Sequence, residues 1–164
     1  MDASSLRRFQ ESLDRVNRAI NYLTRVYLGK QGLGMSRFRV LMHLFDKGES
    51  NMSKLQKSMF LSSATLTGLV DSLVDDGLVV RSREGEDRRM VYLRLTGAGE
   101  VFCQEVLDYR CSCLRGALAG SPAGLEETTG LLNSIFDGLR EQIVSSPGHT
   151  GGKSSSLARD DTGH

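Results

Sequence analysis

Three cysteines and three histidines are the residues with which this 164-residue chain could hold a metal or do redox chemistry. Cys111 and Cys113 stand about 200° apart on a helix and cannot clasp one ion together. Cys103 lies eight residues before Cys111, roughly 12 Å along the axis, beyond the reach of a disulfide. A bridge between subunits stays open, so Cys103, Cys111 and Cys113 are candidates for a thiol-oxidation switch, with inert buried thiols as the plainer reading. His43, His149 and His164 are scattered, so no metal site is expected. There is no Gly-rich phosphate loop and no Ser, His and acid set with supporting context. Gly97 and Gly99 open a helix after a strand but lack the third glycine and the βαβ setting of a nucleotide fingerprint. No enzyme and no cofactor is implied.

A different chemistry is offered by Ser62-Ser63-Ala64-Thr65-Leu66-Thr67. Small and hydroxyl-bearing residues at the start of a helix can approach base edges and phosphates closely. Ser63, Thr65 and Thr67 have hydroxyls to donate, and the methyls of Ala64 and the threonines can meet a thymine methyl. Ser62 also reads as the helix cap. Cations flank this segment: Lys54 and Lys57 before it, then Arg81, Arg83, Arg88 and Arg89 after it. Arg37 and Arg39 are further candidates for phosphate.

These side chains need elements to position them. Leu6, Phe9, Leu13, Val16, Ile20, Leu23 and Tyr27 recur at spacings of three and four, a narrow apolar seam of a long helix that packs lengthwise on other helices. A helix that long exceeds the needs of a small core, which points to subunit association. Ser36 is the expected N-cap of a second helix with Phe38, Leu41, Leu44 and Phe45 on one side. A short helix over 53–58 carries Leu55 inward, with Lys54 and Lys57 outward. Ser62 begins a further helix through Asp76, with Leu66, Leu69, Val70 and Leu73 inward and Gly77 as its stop.

The period then changes to that of strands. Residues 78–81 and 90–95 read as a β-hairpin with a charged tip between them. A fifth helix follows to about Leu118. Gly120-Ser121-Pro122 breaks it, and a sixth carries Leu125, Leu132, Ile135, Phe136, Leu139 and Ile143 on one face. Residues 147–164 are Gly-, Ser- and charge-rich and read as a disordered tail. The expected fold is mainly α with a small β-wing, a winged helix-turn-helix between long terminal helices. Residues 1–30 would form an N-terminal dimerisation helix, 31–96 the DNA-binding lobe, and 97–146 the C-terminal dimerisation helices.

Net charge is +1, with local balances of +2 over residues 1–29, +3 over 30–95 and −4 over 96–164. A mildly basic front two-thirds suits a protein that presents one face to phosphate. No apolar run is long enough to span a membrane, and the first residues have no signal-peptide centre, so the cytoplasm is the expected location and no membrane partner is expected.

Residues 55–81 resemble the helix-turn-helix of MarR-type regulators. Asp87-Arg88-Arg89 and Leu95-Thr96-Gly97-Ala98-Gly99 are similar to that family's wing and to its step into the fifth helix. The resemblance implies a homodimer held by the first and last helices, bound to palindromic double-stranded operator DNA. It places each recognition helix in a major groove and each wing tip in a minor groove, with Arg89 entering and Asp87 bracing it. It also implies repression as the usual role, with release by a small, often aromatic, effector or by thiol oxidation. The effector would sit between the association layer and the lobe, where helix position nominates Tyr22, Tyr27, His43 and Tyr109. Gly68 departs from the family, many members of which carry a basic residue there. Residues 58–80 hold no Lys or Arg, so moderate affinity with a large share carried by the wing is expected. A winged helix that binds protein in place of DNA is the rival reading.

Overall fold

The computed structural model describes residues 2–82, 91–120 and 124–145. Helix α1 (Ala3–Lys30) leads to α2 (Met35–Lys47), the two-residue strand β1 (Ser50–Asn51), α3 (Met52–Met59) and α4 (Ser63–Asp75). Strands β2 (Val79–Ser82) and β3 (Tyr92–Leu95) follow, then α5 (Gly97–Leu118) and α6 (Leu125–Ser145). Helices dominate, with one small antiparallel sheet of order β1-β3-β2.

Local chemistry accounts for most of these boundaries. Gly48 and Gly77 stand just past α2 and α4 with φ of 71° and 70°, a left-handed stop that glycine takes without a Cβ clash. Asn51 caps α3 by accepting from the Lys54 amide at 2.8 Å, and Ser62 caps α4 by accepting from the Thr65 amide at 3.1 Å. The second helix begins earlier than its sequence indicates: Gly34, not Ser36, is the N-cap. β1 has no sequence signal, because two residues carry no periodicity. Ser50 and Asn51 pair with Leu93 and Tyr92 and are both buried.

One core joins the elements. Leu55, Leu66, Val70 and Leu73 of α3 and α4 meet Val40 and Leu41 of α2, Val79 and Leu93 of the sheet, and Leu28, Cys103 and Val106 of the terminal helices. Thr96 ties the wing base to α5. Its hydroxyl donates to the Gly77 carbonyl at 2.7 Å and accepts from the Gly99 amide at 3.0 Å. A Cβ on Gly99 would stand 2.2 Å from the Leu78 carbonyl oxygen, so only glycine lets α5 come this close to the turn after α4.

Outside that core the long helices are bare. Leu6 and Val16 of α1 are more than half exposed, and Leu118 of α5 is exposed. Along α6, Leu125, Leu131, Leu132, Phe136, Leu139 and Ile143 are all exposed, and none of its described residues is buried.

Candidate nucleic-acid interface

The buried residues of α4 fix what the helix presents. With Leu66, Val70 and Leu73 in the core, the exposed positions are Ser63, Ala64, Thr65, Thr67, Gly68, Asp71 and Asp75. The first turn is therefore an exposed shelf of small polar side chains next to the Ser62 cap. Ser62 and Thr65 share a hydroxyl–hydroxyl contact of 2.8 Å, and Thr67 donates to the Ser63 carbonyl at 2.9 Å. These internal bonds hold the side chains in one arrangement and still leave oxygen lone pairs for an outside donor. Lys54 and Lys57 are exposed on α3, which packs directly against α4.

Two of the expected cations have other partners. The Arg81 guanidinium pairs with the Asp71 carboxylate, so it neutralises one of the two exposed acids of α4, Asp71 and Asp75. Arg37 donates to Asp76 at 2.6 Å, to Ser72 at 2.9 Å and to the Gly32 carbonyl at 2.5 Å. It clamps the end of α4 to the turn after α1 and belongs to the scaffold. Asp87, Arg88 and Arg89 lie outside the described residues, as does Arg83.

A second feature lies between α1, α2, α3 and α5. A cavity of about 1000 Å³ is lined by Tyr22 and His43, with Met35, Phe38, Met42 and Met59 as apolar wall. Arg18, Arg25, Arg39 and Arg110 also line it, against the single carboxylate of Asp46. None of these four guanidiniums is in an ion pair among the described residues. His43 lies 3.4 Å from the Ser58 hydroxyl, so the cavity wall runs from α2 onto α3. Burial, and Lys47 nearby, hold the His43 pKa below its ordinary value, with Asp46 opposing.

The other two candidate tyrosines, Tyr27 and Tyr109, are engaged elsewhere. Tyr27 and Tyr109 stack at 4.8 Å between ring centroids, pinning α1 to α5, and neither lines the cavity. Hydrogen bonding to Cys113, then burial, raises the Tyr109 phenol. All three cysteines are free. Cys103 is buried, and burial with Asp46 and Glu100 nearby pushes its thiol up to about 11. Cys111 is exposed. Among the described residues, no three His, Cys, Asp or Glu side chains converge to hold a metal.

The sequence reading missed the arginine lining, although part of it had a signal. Arg18, Tyr22 and Arg25 are spaced by four and three, and Arg39 and His43 by four, so each set shares a helix face. Arg110 joins them only through the packing of α5.

Comparison with known proteins gives one consistent result. The MarR family model matches residues 33–91, which contain the second helix, the helix-turn-helix and the sheet's first two strands. The repressor YetL of Bacillus subtilis is 34% identical over 109 residues, 65% of this chain and 65% of its own length. The chain thus spans slightly under two thirds of that relative. YsmB of the same organism, an uncharacterised HTH-type transcriptional regulator, is 30% identical over 65% of this chain and 73% of its own. A solved MarR family protein from Bacillus stearothermophilus superposes with a TM-score of 0.71 at 24% identity, covering 88% of this chain and 99% of that one.

Proposed function

The chain belongs to the MarR family of transcriptional regulators, and on that premise we propose that it is a homodimeric repressor of a palindromic operator, released by a small anionic effector. The relatives are named regulators, not enzymes. No helix among the described residues is long and apolar enough to cross a membrane. The cytoplasm is the proposed place of action.

The exposed first turn of α4 carries the DNA reading. Its inner face is locked into the core by Leu66, Val70 and Leu73, so Ser63, Ala64 and Thr67 stand on a rigid element at the outer surface. Thr65 and the Lys54 and Lys57 amines flank them. Rigid placement is what base readout requires, because a misplaced donor loses its hydrogen bond. Asp87, Arg88 and Arg89 belong to this reading through their resemblance to the family's wings.

The homodimer rests on the bare apolar side chains of α1, α5 and α6. A single chain that leaves such a row in water gains about 25 cal/mol for each Å² it covers. Two-fold pairing through these helices would space the recognition helices by about one turn of DNA, ~34 Å.

The effector reading rests on the cavity. Four guanidiniums facing one carboxylate favour a ligand with negative charge, and the methionine, Phe38 and Tyr22 surfaces favour an aromatic body. Because Ser58 and Met59 of α3 form part of the wall, a ligand that prefers a shifted α3 disturbs the adjoining recognition helix. A preference of about 1–3 kcal/mol changes DNA affinity about 5- to 150-fold.

Fluorescence anisotropy with the DNA upstream of its own gene, at several salt concentrations, tests this. The expected result is saturable, sequence-selective binding by a dimer, weakening with salt at about −0.9 per phosphate contact, and release by an aromatic carboxylate. Replacing Arg89 by Ala should weaken binding more than twofold. Weak, sequence-independent binding alone, or salt-insensitive capture of a protein partner, would refute it.

A further inference from the structure

Phe60 violates two local rules at once. Its backbone sits at φ 54°, ψ 40°, and it is the one non-glycine residue with positive φ among the described residues. At the other positive-φ positions, 32, 48 and 77, the chain uses glycine, the residue that takes this conformation without steric conflict. The Phe60 ring is also 86% exposed, the highest value among the exposed large apolar side chains of the described residues. Neither backbone geometry nor core packing therefore accounts for a phenylalanine here. A residue that is both strained and unpacked in the isolated chain points to a contact made with something else.

Its place in the fold indicates the occupant. Phe60 is the C-cap of α3 and precedes the Ser62 cap of α4 by two residues, so it stands in the turn of the helix-turn-helix. The exposed row Ser62, Ser63, Ala64 and Thr65 continues from it on one side, and exposed Lys57 precedes it on the other. An exposed ring that lies along the chain between an exposed cation and a hydroxyl-lined shelf meets the wall of a major groove if that shelf enters one. The apolar group that a base pair exposes in the major groove is the thymine C5 methyl. We propose that Phe60 is a DNA-contacting residue whose ring packs on a thymine methyl at the edge of each half-site, adding sequence preference that hydroxyl groups alone do not supply. The proposal rests on the DNA-binding reading above.

The test uses the full chain and an operator duplex that the wild-type protein selects. Phe60→Gly removes the ring and suits the left-handed backbone; Phe60→Leu keeps an apolar group. Covering one methyl is worth about fourfold in affinity per half-site, on the order of fifteenfold for a dimer with two. Phe60→Gly should weaken binding by that amount, and Phe60→Leu should restore part of it. Replacing each half-site thymine together with its symmetry mate in the other half-site by deoxyuridine, which lacks the methyl, should identify a position at which wild type and Phe60→Gly bind equally. Thermal melting should show Phe60→Gly within about 5 °C of wild type.

Equal operator affinity of wild type and Phe60→Gly would overturn the proposal and leave the DNA reading standing. A loss that persists at every deoxyuridine position would overturn the thymine contact. A larger drop in melting midpoint, or a change in oligomeric state, would assign the ring to the fold or to the dimer instead. If the wild-type chain selects no operator, the DNA reading falls, and this inference with it.

Discussion

Replacing Asp71 by Asn keeps the shape of the side chain and removes the charge that holds the Arg81 guanidinium. Asp71 lies four residues after Thr67 and seven after Ala64, so it shares their exposed helix face. In the folded chain this pair contributes no net charge to that face. The pair is 39% and 50% exposed on its two sides, so its loss costs under about 1 kcal/mol of stability. Its effect on DNA binding is larger. Asp71→Asn removes one negative charge per subunit and frees one guanidinium on β2 for a phosphate. Each added phosphate contact steepens the salt dependence by about 0.9, so a dimer steepens by up to about 1.8. At 0.1 M salt the same relation gives about eightfold tighter binding per contact.

The assay is anisotropy on one operator at four or five salt concentrations, comparing wild type, Asp71→Asn and the double variant Asp71→Asn/Arg81→Ala. The single variant should bind more tightly with a steeper slope, and the double variant should lose most of that gain. Wild-type slope and affinity in Asp71→Asn would refute the reasoning: Asp71 would then not restrain Arg81, or Arg81 would not reach phosphate.

Three further outcomes are expected. Gly99→Ala forces a methyl to within 2.2 Å of the Leu78 carbonyl oxygen, a backbone atom with no rotamer to yield, and should destabilise by about 3 kcal/mol. Differential scanning calorimetry should register this as a melting point about 6–12 °C lower. Alkylation with iodoacetamide at pH 8 should modify exposed Cys111 while sparing Cys103, whose thiol at about 11 is ionised to about one part in a thousand; peptide mass mapping reads the order. His43 should make stability fall on acidification. The unfolded chain takes the proton near the ordinary value of 6.5 and the folded chain only at lower pH, so unfolding binds a proton in that window and stability drops through it. Urea melts between pH 7.5 and 5 should show the drop, and His43→Gln should lessen it.

Much of the fold is legible along the chain because its signals are local. Ser62 caps α4 as its position before an apolar-periodic run requires, and Gly77 ends that helix as a left-handed stop. Spacing of Leu66, Val70 and Leu73 is enough to say which face turns inward, and so which hydroxyls face out. The N-terminus of α2 was legible only approximately. Ser36 is the better capping residue, but Gly34, in extended backbone, takes the position with no side-chain cap hydrogen bond.

Long-range pairings were not legible. Arg81 reads as a phosphate ligand from its charge and place beside the wing, yet a carboxylate ten residues earlier holds it. Arg37 reads the same way and instead spans three partners between 5 and 39 residues away. Tyr22, Tyr27, His43 and Tyr109 look equivalent as helix-borne candidates. Packing separates them, sending Tyr22 and His43 to the cavity and stacking Tyr27 on Tyr109. By itself the sequence determined the helices, the Ser62 cap and Gly77 stop of α4, the buried face of that helix and the resemblance of residues 55–99 to one family, since these depend on neighbours within a turn or on motif order. Only the tertiary structure decided which charges are neutralised, which arginines line a shared cavity and why Gly99 admits no Cβ. Those depend on distances between residues far apart in the chain, and those distances are set when the core closes.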